Sequence, residues 1–78
     1  MYTVFEVRIS GGLDPAKVVA YGRAVQVTAP QRRDGNIDVC LFFSSRPDEL
    51  RQLFDSDDRV TGYRNVGTAD EYGRIARG

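Results

Sequence analysis

The stretch Ile37 to Phe54, IDVCLFFSSRPDELRQLF, holds the longest apolar run in the chain and constrains the fold more than any other segment. In an extended chain Ile37, Val39, Leu41 and Phe43 share one face, and Asp38, Cys40, Phe42 and Ser44 share the other. A strand that is apolar on both faces belongs inside a sheet, with cover on its second side. The spacing that follows predicts a helix over 47–54. Ser45 is placed as its N-cap, with its hydroxyl positioned to accept from the Asp48 N–H, and Asp48 stands where a capping-box acid would stand. Pro47 falls in the first turn, where its missing N–H costs nothing. Asp48 and Glu49 suit the positive end of the helix dipole. Leu50, Leu53 and Phe54 form one apolar stripe, with Arg51 and Gln52 pointing outward. Asp55, Asp57 and Asp58 follow at the negative end, where acids disfavour further turns.

The rest of the chain reads as material beside this strand and helix. Tyr2 to Ser10 alternates as a half-buried strand with Phe5, Val7 and Ile9 inward and Tyr2, Val4, Glu6 and Arg8 outward. Leu13 to Ala29 has two readings. Asp14, Pro15 and Gly22 outline a short helix over 15–21 followed by a strand from Arg23. The β-branched Val18, Val19, Val25 and Val27 instead support one strand over 17–29. Pro30 to Asn36 is a polar loop, and Asp34-Gly35 inside it signals a hairpin. Arg59 to Val66 is the last strand, with Val60 and Val66 on one face and Thr61, Tyr63 and Asn65 on the other. Gly62 marks it as an edge or a bulge. Thr68 with Glu71 three residues on predicts a short C-terminal helix.

Together these elements predict a small two-layer α+β domain over residues 1–78. A four-stranded, mainly antiparallel sheet is packed by the helix 47–54, with the short C-terminal helix added. If 15–21 is helical, the order is a compressed ferredoxin-like β-α-β-β-α-β arrangement. That order is similar to the element order of ACT-like regulatory domains. The resemblance implies a ligand-sensing module that dimerises and binds a small molecule at its interface.

The chemistry legible in the residues is sparse. Histidine is absent, which removes the commonest general base and the commonest zinc ligand. Cys40 has no CxxC neighbour and lies in an apolar run, the setting of a small buried hydrophobe rather than a nucleophile. The Asp55–Asp58 loop lacks the sixth-position glycine and twelfth-position glutamate of a calcium-binding EF-hand, so no metal site is expected. Formal charge is zero, so no whole-protein field draws nucleic acid or anionic lipid. No run of about 18 apolar residues and no signal peptide is visible, and one cysteine suits a reducing compartment, so a cytoplasmic protein is expected.

These readings lead to a non-catalytic protein without cofactors, acting as a monomer or homodimer. Starting at Met1 with no tag or linker, it reads as a complete small protein that binds a larger protein partner and inhibits or regulates it. Inhibitors of host defence carried by phages and mobile elements, such as anti-CRISPR proteins, are of this kind. The alternative is the ACT-like sensing module. The expected partner-binding residues are Arg32 and Arg33 at the hairpin, Asp55, Asp57 and Asp58 in the acidic loop, and Tyr2 and Arg8 on the outward side of the first strand.

Overall fold

The computed structural model describes residues 1–10, 26–28, 32–70 and 74–76. Strand β1 (Tyr2–Ser10) runs between β4 (Ile37–Ser44) and β5 (Val60–Ala69) and pairs antiparallel with both. The short β2 (Gln26–Val27) and β3 (Arg32–Asp34) pair antiparallel along the other side of β4, and β6 (Ile75–Ala76) pairs antiparallel with the end of β5. Helix α1 (Pro47–Ser56) connects β4 to β5. The domain is therefore α+β, an antiparallel sheet with one described helix. β1 shares the central position expected of Ile37–Ser44. The expected alternatives over 15–21 and 17–29 fall outside the described residues, apart from the strand at Gln26–Val27. No helix among the described residues is long and apolar enough to cross a membrane.

The hairpin signal at Asp34-Gly35 is realised as a two-residue turn. Asp34 pairs with Ile37, and Gly35 has φ +63° while no other residue type takes a positive φ among the described residues. That is the type II′ pattern, which needs glycine first and matches the strand twist.

Helix α1 starts at Pro47 as expected, but not with the expected cap. Arg46, with φ −131° and ψ 72°, is the N-cap, and the helix has no side-chain cap. The residue before a proline is pushed out of the helical region, so Arg46 cannot be the first helical residue and Ser45 cannot cap it. Ser44 instead accepts the Arg46 N–H through its hydroxyl at 2.9 Å. At the other end the helix runs to Ser56, two residues beyond the expected stop, with the Ser56 hydroxyl donating to the Leu53 carbonyl at 2.9 Å.

One face of α1 covers one face of the sheet. Phe5, Val7, Ile9, Cys40, Phe42, Leu50 and Phe54 are fully buried together, with Leu53, Val60 and Tyr63 packed at the margin. Phe54 is the hub: its ring meets Phe5 at 5.8 Å and 80°, Phe42 at 5.2 Å and 76°, and Tyr63 at 5.0 Å. The first two are edge-to-face arrangements, each contributing about 0.5–1.5 kcal/mol beyond burial. Arg51 does not simply point outward. Its guanidinium lies 5.4 Å from the Phe5 ring centroid while bonding Asp48 at 2.9 Å, so its stem lies along the margin of the core.

The opposite face of the sheet is not open at the Tyr2 end. Val4, Phe43, Val66 and Ala69 form a second buried cluster with Tyr2, Leu41 and Ile75 against it. Val4 is fully buried and Tyr2 half-buried, so the outward side of β1 is covered at this end and not left to solvent. Ile75 reaches this cluster because Ile75–Ala76 pairs as a strand with Thr68 and Ala69, where a C-terminal helix was expected. Thr68 lies in β5 and pairs with Ala76, while Asp70 exchanges bonds with Arg74, its N–H donating to the Arg74 carbonyl at 3.1 Å and its carboxylate accepting the Arg74 N–H at 3.0 Å. Thr68 is thus a strand residue and not the cap of a helix.

The expected two faces of β5 are also rearranged. Arg8 pairs with Gly62 but Ile9 pairs with Val60, so Thr61 is an extra residue; Val4 pairs with Gly67 and Phe5 with Asn65, so Val66 is a second. Each extra residue shifts the alternation by one. Tyr63 consequently joins Val60 under the helix, and Val66 faces the other cluster with Ala69. Gly67 follows the second bulge at φ +136°, a conformation side chains resist, and its N–H donates to the Asn65 side chain at 2.8 Å.

Candidate functional site

The bulge at Thr61 determines what lies on the helix-free face. Beyond it, Gly62 and Arg64 lie on the same side of the sheet as Arg8 and Glu6, their cross-strand partners on β1. The Thr61 hydroxyl donates to the Arg8 carbonyl at 3.3 Å and ties the bulge to the central strand. Glu6, Arg8, Gly62, Tyr63 and Arg64 together line an open groove of about 370 Å³. Its floor is open because glycine stands opposite Arg8: a Cβ at position 62 would meet nothing within 4 Å.

Glu6 and Arg64 meet as a fork. Arg64 donates through Nε to Oε1 at 3.2 Å and through Nη2 to Oε2 at 3.5 Å. The Glu6 side chain is only 13% exposed, whereas that of Arg64 is 68% exposed. The pair therefore holds Arg64 in place over the groove more than it adds stability, since exposed pairs contribute at most about 1 kcal/mol.

The expected binding residues are distributed along the sheet. Arg8 is in the groove. Arg32 pairs with Val39, Val39 with Arg8, and Arg8 with Gly62, so these four positions form one row across the sheet. With strands about 4.8 Å apart, the Arg32 and Arg8 backbones are about 10 Å apart. Arg33 is the next residue on β3, opposite Asp38. Tyr2 sits at the far end of β1, opposite Ala69 and against the second apolar cluster. About 27 Å of strand separates it from Ser10, beside which the acidic loop lies.

In that loop the three acids differ. Asp57 is a buried carboxylate, its side chain 3% exposed, accepting the Arg59 N–H at 2.9 Å and the Arg59 guanidinium through both oxygens at 3.1 and 3.3 Å. Asp55 accepts the Tyr63 hydroxyl at 2.8 Å, a bond that raises the Tyr63 pKa above its ordinary value. Asp58 is exposed. Among the described residues no group of three or more Asp, Glu, Cys or His side chains is arranged to hold a metal ion.

Sequence reading missed Glu6, Gly62 and Arg64 as one site. The alternation of β1 alone shows Glu6 beside Arg8. Bringing Gly62 and Arg64 to the same side requires the bulge, and only the weak strand position of Gly62 hinted at that. Comparisons with protein-family models, with curated proteins and with solved structures find no match to this chain.

Proposed function

We propose that this chain is a non-catalytic binding protein, and that it inhibits or regulates a larger protein through the charged strip of β1 and β5. The observation that carries the reading is the groove over Gly62, where an exposed arginine held by a shielded glutamate stands beside Arg8. Fixed charges around a recess are the usual means of orienting a protein partner. Cys40 supports the non-catalytic side: it is fully buried beneath α1, and burial, followed by the nearby Asp38 charge, raises its pKa, the reverse of what an attacking thiolate needs. A cytoplasmic setting goes with a single buried thiol. An inhibitor of host defence of the anti-CRISPR type remains the most specific form of the proposal, resting on small size and sparse chemistry.

The test begins with capture of a protein partner by the tagged chain, followed by titration with Arg8→Glu and Arg64→Glu. Each should weaken binding about tenfold or more, as loss of an oriented interface charge does. Unchanged affinity in both variants overturns the reading.

A second reading is favoured by one observation, the sheet order β2-β4-β1-β5. The strands joined by α1 flank β1, a split β-α-β unit, and this is the order a ferredoxin-like domain would have. On this reading the chain is a ligand-sensing homodimer of the ACT-like kind. Sedimentation equilibrium with a thermal-shift screen of metabolites separates the two: a stable dimer whose melting temperature rises with one metabolite favours the sensor.

A further inference from the structure

We draw no further inference here: the strongest candidate, the groove over Gly62 between β1 and β5 on the helix-free face of the sheet, belongs to the site already described, and nothing in the structure shows which chemical group of a partner it takes.

Discussion

Cys40 packs the core and Asp57 fastens a turn, and both roles can be measured. The Cys40 thiol is held above its ordinary pKa by burial first and by the Asp38 charge second. The folded state therefore keeps that proton to higher pH than the unfolded chain does. Below the ordinary thiol value, about 8.5, both states are protonated and the group adds no pH dependence; above it, stability falls as pH rises. A thiol reagent at pH 8 should label Cys40 slowly in the native protein and fast in denaturant. Equal rates would mean the thiol is open. Asp57 was expected among the surface charges of the binding set, yet its carboxylate fastens the turn from α1 into β5 through the Arg59 backbone and guanidinium. Asp57→Ala should destabilise by about 1–3 kcal/mol, because the Arg59 N–H loses its acceptor. Asp58→Ala, at an exposed position, should shift stability by no more than about 0.5 kcal/mol. Parallel thermal melts check the contrast, and similar melting temperatures would remove the structural role given to Asp57.

At the scale of elements, α1 is anchored by Phe54 more than by the rest of its stripe. Leu50 and Phe54 are fully buried, whereas Leu53 is half-buried at the margin. Phe54→Ala should destabilise by about 3–5 kcal/mol, enough to unfold a domain with little reserve. Leu53→Ala should fall below the roughly 2–5 kcal/mol of a fully buried leucine, and denaturant melts of the two variants would rank them. If Leu53→Ala proves the worse, the helix is seated differently. The strand β4 and helix α1 were legible because a continuous apolar run and an i, i+3, i+4 stripe are set by a few neighbouring residues. The start of α1 at Pro47 was legible, but its cap was not, because Pro47 holds Arg46 in an extended conformation and takes the cap position from Ser45. A bulge in β5 was legible only as one of two meanings of Gly62, and its position was not. An extra residue is defined by the partner strand, so nothing local to Thr61 or Val66 tells that Tyr63 turns under the helix and Val66 away from it.

The whole molecule carries zero formal charge, with a sequence pI of about 6.1, and this decides how its charged groove acts. The sheet plan was largely readable, since alternation in Tyr2–Ser10 and the Asp34-Gly35 turn leave few ways to arrange four main strands. The site was readable only as scattered charges, because Arg8, Gly62 and Arg64 meet through cross-strand register. A neutral molecule has no long-range field to draw a partner in, so fixed charges in a recess act after encounter by holding the complex together. Arg64→Gln should therefore raise the dissociation rate of a confirmed partner about tenfold and change the association rate by no more than about threefold. Arg32→Glu combined with Arg33→Glu turns the whole chain acidic, so its effect belongs in the association rate and should shrink as salt is raised from about 50 to 300 mM. Surface plasmon resonance on both variants separates these constants directly. An Arg64→Gln variant that slowed association and left dissociation untouched would make the groove a steering patch and not a seat.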